Sequence, residues 1–216
     1  MIISTWNVNS IKVRIHAVIQ YLSEYHPDVL VLQETKCLDE NFPIDEISDA
    51  GYYSTFYGQK TYNGVAIISK KKPDSIEYNP VVTSKNEARS LTVIIDGITI
   101  VNLYVVNGQD IDTDKYSYKL DWLKKLTSYA KKLLTKSDKV ILLGDFNIAP
   151  SDDDVFDIDI TKGQILCSPQ ERSALKKILK LGFHDCFIDF AFPSQTFTWW
   201  DYRAGAFQRN IGYRID

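Results

Sequence analysis

The 216-residue sequence predicts an α+β fold, a four-layer α/β/β/α sandwich in which two mostly antiparallel sheets pack face to face with helices outside. Three observations carry this expectation. Short apolar runs bounded by turn residues recur along the chain, as buried strands do. Two or three longer segments carry apolar residues at the spacing of an amphipathic helix. Four of the apolar runs deliver an amide or a carboxylate near one end, so an oxygen-rich site along one edge of the packed sheets is expected, mounted on rigid strands.

Ile2 to Asn9 (IISTWNVN) reads as the first strand and arrives at Asn7 and Asn9. Asn9 or Ser10 is placed to cap a helix whose apolar positions are Ile11, Ile15, Val18, Ile19 and Leu22. Pro27 and Asp28 return the chain to strand, and Val29 to Glu34 (VLVLQE) arrives at Gln33 and Glu34. After a polar loop, a short helical piece is expected through Glu46 to Ala50, then a strand over Tyr52 to Gly58, a turn over Gln59 to Gly64 and a buried strand over Val65 to Ser69. Lys70, Lys71 and Lys72 read as a solvated turn. Arg89 to Ile95 and Thr99 to Val106 flank Asp96-Gly97, a tight-hairpin signal, and the second strand carries Asn102, Tyr104 and Asn107 along and just beyond it.

Asp114 to Thr135 predicts an amphipathic helix with a Lys-rich outer face. It leads into Lys139 to Pro150 (KVILLGDFNIAP), where Val140 to Leu143 form a strand buried on both faces and Gly144 frees the backbone. Asp145 and Asn147, two residues apart, point to the same side on extended backbone. Ser168-Pro169-Gln170-Glu171 combines a helix cap, a first-turn proline and a glutamate three residues after the cap, and Gly182 stops the helix that follows. Phe197 to Arg203 and Tyr213 to Asp216 surround a loop from Ala204 to Gly212 read as flexible. Their aromatics either line a pocket for an unstacked sugar or base or pack in the core, and Phe197 and Trp200 favour the core.

Composition narrows the function classes. With 44% apolar and 25% charged residues the chain can bury an ordinary core. No stretch approaches the ~20 apolar residues of a membrane span, so no membrane attachment is expected; a monomer is expected, and the odd cysteine count suits reduced thiols in the cytoplasm. The three cysteines, Cys37, Cys167 and Cys186, are too few and scattered for a disulfide framework or a zinc site. A net charge of −3 argues against a protein that coats polyanions through bulk charge, but a local Lys and Arg stripe still suits a nucleic-acid enzyme. No repeat, linker or domain boundary is visible, which predicts one domain over residues 1–216. Asp145, Asn147 and their counterparts are hard oxygen donors of the kind that hold Mg²⁺, Mn²⁺ or Ca²⁺; the alternative is an Asx turn after a core strand.

With Asn7, Gln33-Glu34-Thr35-Lys36, Asn102 to Asn107, Gly144-Asp145-Phe146-Asn147 and the Trp-Trp-Asp-Tyr-Arg to Arg-Ile-Asp segment in view, the chain resembles the exonuclease III family of apurinic/apyrimidinic endonucleases over its full length. That family belongs to a wider group of metal-dependent phosphodiesterases, and the LQETK and WWDYR forms point to its DNA-repair branch. The resemblance implies a Mg²⁺-dependent enzyme, with Mn²⁺ as a substitute, that cleaves duplex DNA 5′ to abasic sites and trims 3′ ends. It implies that Glu34 binds the metal with Asn7 helping to position it, and that Asp145 and Asn147 activate or orient water and steady the phosphate. By the same resemblance Tyr104 is the active-site tyrosine, Asn107 contacts phosphate, and Arg89 and Tyr62 grip the DNA backbone. Trp199, Tyr213 and Ile215 wall the pocket for a flipped abasic sugar, and Asp216 is the active-site aspartate of the RID motif. The family continues past that aspartate into further strands and a Ser-Asp-His motif, so a domain lacking its C-terminal strands is expected; His16, His26 and His184 are expected to be structural or surface residues. The alternatives are a non-catalytic abasic-site or DNA-end binding protein and a small-molecule or lipid phosphodiesterase on the same fold.

Overall fold

The apolar runs assemble into two four-stranded sheets in the computed structural model, which describes residues 1–216. The first sheet contains β1 (Ile3–Asn7), β2 (Val29–Gln33), β3 (Tyr53–Tyr57) and β4 (Val65–Ser69) in the order β1-β2-β4-β3. The second contains β5 (Ser75–Tyr78), β6 (Ser90–Ile95), β7 (Ile98–Tyr104) and β8 (Val140–Asp145) in sequence order. Only the β1–β2 and β7–β8 pairs are parallel; every other pair in the two sheets is antiparallel. Both sheets belong to one structural unit, residues Met1–Tyr104 with Leu133–Asp145; Val105–Lys132 and Phe146–Asp216 form a second.

Side-chain alternation gives the first unit its layers. Val29, Val31, Val65 and Ile67 meet Leu91, Val93, Ile95 and Ile100 of the second sheet, while the intervening Leu30, Leu32, Ala66 and Ile68 turn the other way. There they meet Ile11, Val18 and Leu22 of α1 (Ile11–Tyr25) and Ile47 of α2 (Ile44–Asp49). A strand covered on both faces reads as an unbroken apolar run, which is why β2 and β4 were legible. The β6–β7 hairpin closes at Asp96-Gly97, both at positive φ (51° and 74°), as a two-residue turn between right-twisted strands requires.

Four local expectations change. Val140 to Leu143, expected to be buried on both faces, form β8 but are each only half-buried. All four residues of β5 are exposed, so this edge strand has no apolar signature and only its ladder with β6 reveals it. The short helix starts at Ile44 rather than Glu46. Ser10 stands at the cap of α1, but its side chain makes no cap hydrogen bond. Instead the Ser10 and Ile11 amides donate to the carbonyls of Glu34 and Thr35 at 2.7 and 3.0 Å, so the loop after β2 caps the helix.

The helix α3 (Asp114–Leu134), in the second unit as far as Lys132, buries Tyr116, Trp122, Leu123, Leu126 and Ala130 and exposes Lys124, Lys125, Lys131 and Lys132. Lys119 departs from the Lys-rich outer face: it is fully buried, because its ammonium has a carboxylate and two carbonyls to meet. The four-residue α4 (Ile158–Thr161) has no counterpart among the expected elements. In α5 (Pro169–Leu179) the expected cap forms: Ser168 Oγ accepts from the Glu171 amide at 3.2 Å, and the Ser168 amide donates to Glu171 Oε2 at 3.0 Å. β9 (Trp199–Trp200) and β10 (Gly212–Tyr213) form a two-stranded pair. Phe197 is buried and Trp200 is half-buried, its Nε1 donating to Asn210 Oδ1. No helix is long and apolar enough to cross a membrane.

Candidate active site

Strand register brings the predicted residues of the first unit together. Asn7 lies opposite Gln33 in the parallel β1–β2 pair, and Tyr104 lies opposite Asp145 in the parallel β7–β8 pair. Parallel neighbours leave a sheet at the same end, so each pair presents its polar residues side by side. The antiparallel β6–β7 pairing then sets Arg89 beside Tyr104, whose amide donates to the Arg89 carbonyl at 2.7 Å. Gly144 allows the approach: at φ 127°, a Cβ there would lie 2.1 Å from the Leu103 carbonyl oxygen.

Asn7 joins these exits. Its Nδ2 donates to Glu34 Oε1 and to Asp145 Oδ2, each at 2.9 Å, and its Oδ1 accepts from the Asn9 amide at 3.1 Å. Lys36 Nζ lies 2.8 Å from Glu34 Oε2 and also donates to Asn9 Oδ1. Asn9, Ser10, Glu34 and Lys36 all sit at positive φ (43°, 92°, 54° and 50°), left-handed backbone that L residues adopt at a cost of about 1–3 kcal/mol each. Beneath them a buried amide network ties the sheets: Gln33 Nε2 donates to Asn102 Oδ1 at 2.7 Å, and Asn102 Nδ2 donates to the carbonyls of Leu32 and Ala66.

Burial alone would raise the Glu34 carboxyl, but the Lys36 ammonium and the Asn7 amide outweigh it and hold the group below its ordinary value. Tyr104 moves the other way. Burial first, then the charges of Glu34 and Asp145, raise its phenol well above the ordinary tyrosine value, and its hydroxyl hydrogen-bonds Glu34. The Arg89 guanidinium is nine-tenths buried, pairs with Glu87 at 2.6 Å and lies 4.8 Å from the Tyr104 ring centroid. So placed, Arg89 braces Tyr104, whereas Tyr62, in the turn between β3 and β4, is 67% exposed. Two carboxylates on one amide nitrogen, with no thiolate or imidazole among the donors, fit a hard divalent cation.

The remaining predicted residues lie in the second unit. Asn107 Nδ2 donates to Asn147 Oδ1 at 2.9 Å, and Asn147 Nδ2 donates to the Val105 carbonyl at 3.0 Å. Asn147 is buried at φ 50°; Asn107 is exposed. Lys119 Nζ donates to the carbonyls of both residues and pairs with Glu171. Trp199 and Tyr213 pack with their centroids 6.0 Å apart against a cluster containing Ile215, Leu166 and Ala149. The Phe146 amide donates to the Ile215 carbonyl at 2.8 Å, which ties the RID segment to the chain just after Asp145. Thr198 Oγ1 donates to Asp216 Oδ2 at 2.7 Å and accepts from the Asp216 amide, while burial raises the Asp216 carboxyl to about 6. His16 and His26 are exposed, and His184 pairs on the surface with Asp189. Sequence reasoning passed over Lys119 and Glu171 as site residues. The signal was available: Tyr116, Lys119, Leu123, Leu126 and Ala130 form one stripe at alternating spacings of three and four, so Lys119 stands where an apolar residue is expected.

A family model described as Endonuclease/Exonuclease/phosphatase family matches residues 4–216. Exodeoxyribonuclease III of Haemophilus influenzae is 31% identical over 226 residues, covering 98% of this chain and 84% of the relative. Among solved structures, a 3′ phosphatase from Neisseria bound to a product DNA hairpin matches with a TM-score of 0.97 at 39% identity, over 100% of this chain and 84% of that one. An AP endonuclease from Archaeoglobus fulgidus matches with a TM-score of 0.93 at 39% identity, over 100% of this chain and 85% of that one.

Proposed function

The chain belongs to the Endonuclease/Exonuclease/phosphatase family, and from that premise we propose that it is a DNA-repair nuclease, hydrolysing phosphodiester bonds of duplex DNA 5′ to abasic sites and trimming 3′ ends. It acts as a cytoplasmic monomer that uses Mg²⁺, with Mn²⁺ able to substitute. The observation that supports this best is the Asn7 amide held between the Glu34 and Asp145 carboxylates where two parallel strand pairs end. Relatives named as an exodeoxyribonuclease, a 3′ phosphatase and an AP endonuclease supply the substrate class.

The roles follow from the chemistry of each group. Glu34, ionised across the neutral range, holds the cation with Asn7 fixing its rotamer. The cation, when bound, neutralises charge on the phosphoryl and leaving oxygens. Asp145 accepts the proton of the attacking water, and its bond from Asn7 aims the carboxylate. Tyr104 stays protonated and offers its hydroxyl as a hydrogen-bond donor. The Asn107 and Asn147 amides steady the phosphate, Arg89 and Tyr62 meet the DNA backbone, Asp216 is the active-site aspartate of the RID motif, and Trp199, Tyr213 and Ile215 wall a pocket for the abasic sugar. A nucleotide without a base is cheap to extrude, so an apolar wall selects it without reading sequence.

The test is incision of a duplex oligonucleotide carrying one tetrahydrofuran abasic analogue, with Mg²⁺ and with EDTA, alongside removal of a 3′-terminal phosphate. Mg²⁺-dependent cleavage is expected in the wild type and a loss of about 10²–10⁴ in rate for Glu34→Ala and Asp145→Ala, both of which should still fold. Wild-type rates in both variants would refute the assignment. Tight binding to the abasic duplex without cleavage would point to a binding module instead.

A further inference from the structure

We infer that the buried Lys119–Glu171 pair is a positioning device that sets the two phosphate-contacting amides, Asn107 and Asn147, in their working geometry. Both charged groups are wholly inaccessible to solvent. Lys119 Nζ donates to the Asn107 carbonyl at 3.0 Å and to the Asn147 carbonyl at 2.7 Å. One ammonium therefore holds the backbone of two residues forty positions apart, whose side chains are themselves joined by the Asn107 to Asn147 bond. Glu171 anchors the ammonium from the far side. Its carboxylate also accepts from the amides of Leu166 and Ser168 and from Ser168 Oγ, so the anchor is fixed to the start of α5 and does not drift.

Stability gives little reason for such a pair. Replacing a buried ion pair by apolar groups of similar size is commonly neutral or stabilising, since desolvation cancels the attraction. What an apolar pair cannot do is donate to two carbonyls at once. Asn147 is held at φ 50°, a conformation that surrounding bonds must enforce. The space is also closed: a Cβ on Gly108 would lie 3.1 Å from Lys119 Cδ, so the stem has no room to wander.

The inference rests on the reading of Asn107 and Asn147 as phosphate-contacting amides, and its test separates the two. Lys119→Met combined with Glu171→Gln removes both charges, while the side-chain amide oxygen introduced by the second change still caps α5. The double variant is expected to fold with a melting temperature lowered by about 5–15 °C, because two carbonyls lose their donor. On abasic duplex its kcat is expected to fall about 10–100-fold with KM changed less than threefold, because misplaced groups lose transition-state contacts first. Combined with Asn107→Ala and Asn147→Ala together, the losses should fail to multiply, since Lys119 acts through those two amides. A wild-type kcat in the folded pair variant, or losses that multiply, overturns the positioning role. A wild-type rate in Asn147→Ala alone overturns the underlying reading of the amides, and the positioning role with it. If the pair variant does not fold, Lys119→Arg serves: it keeps the charge, but its planar fork is too wide for the closed space and should push the carbonyls apart. A three- to tenfold lower kcat at unchanged KM is then expected, and an unchanged kcat overturns the inference.

Discussion

Asn7 shows how much chemistry one neutral side chain can organise. Its amide nitrogen donates to both the Glu34 and the Asp145 carboxylates, so one uncharged group holds two carboxylates that like-charge repulsion would otherwise drive apart. Tyr104 is the complementary case, a phenol kept neutral by burial and by the same two carboxylates. In a spectrophotometric titration, wild type and Tyr104→Phe should give the same tyrosinate absorbance between pH 9 and 11, because Tyr104 does not ionise there; an extra phenol titrating near 10 in the wild type would contradict its placement. The same variant should lower kcat about tenfold or more by removing the hydroxyl that donates to the Glu34 carboxylate and helps to orient it. At this scale the sequence was informative about residue type and poor about partners. Glu34 and Asp145 stood out as carboxylates at strand ends, whereas the pairing of Arg89 with Glu87 and its place over the Tyr104 ring depend on how β6 pairs with β7.

Among the elements, β8 matters most because it ends on Asp145. Gly144 lets it lie close against β7, with no space for a Cβ beside the Leu103 carbonyl. Gly144→Ala should therefore destabilise the chain by about 2–3 kcal/mol or prevent folding, and any folded fraction should cleave poorly because Asp145 moves with the strand. Thermal unfolding of the variant checks this, and a melting temperature equal to wild type would mean that β7 can move aside. Helix and hairpin ends were legible because they follow local chemistry: the Ser168–Glu171 box and the Asp96-Gly97 turn form as spelled. The start of α1 was not, since its capping carbonyls come from the loop after β2. Nor was β5, whose four exposed residues carry no apolar pattern.

For the molecule as a whole, cation binding and pH act on the same carboxylates. A ligand that binds only the folded chain stabilises it by about 2.7 kcal/mol at a hundred times its Kd. Mg²⁺ should accordingly raise the melting temperature by several degrees, and Glu34→Gln combined with Asp145→Asn should abolish the shift; a shift that survives would place the cation elsewhere. The Glu34 carboxyl is held below its unfolded value of 4.5, so its contribution to stability is present above that pH and is lost as pH falls through the lower folded value. Without metal, the difference in melting temperature between wild type and Glu34→Gln should hold from pH 7 to 5 and shrink below 4.5. A difference that grows in acid would reverse the sign assigned to Glu34.

By itself the sequence determined most of the strands, the main helices and the family, because apolar periodicity, turn chemistry and motif order are local and survive in one dimension. Only the tertiary structure decided which of those groups share a hydrogen bond. The Asn7 amide meets Asp145, 138 positions away, through the packing of one parallel strand pair against another. The Lys119 ammonium, spelled as one more lysine on a basic helix, is buried because a carboxylate from α5 and two loop carbonyls converge on it. A buried charge is tolerated only where its partners are supplied, and partners distant in sequence are supplied by the fold.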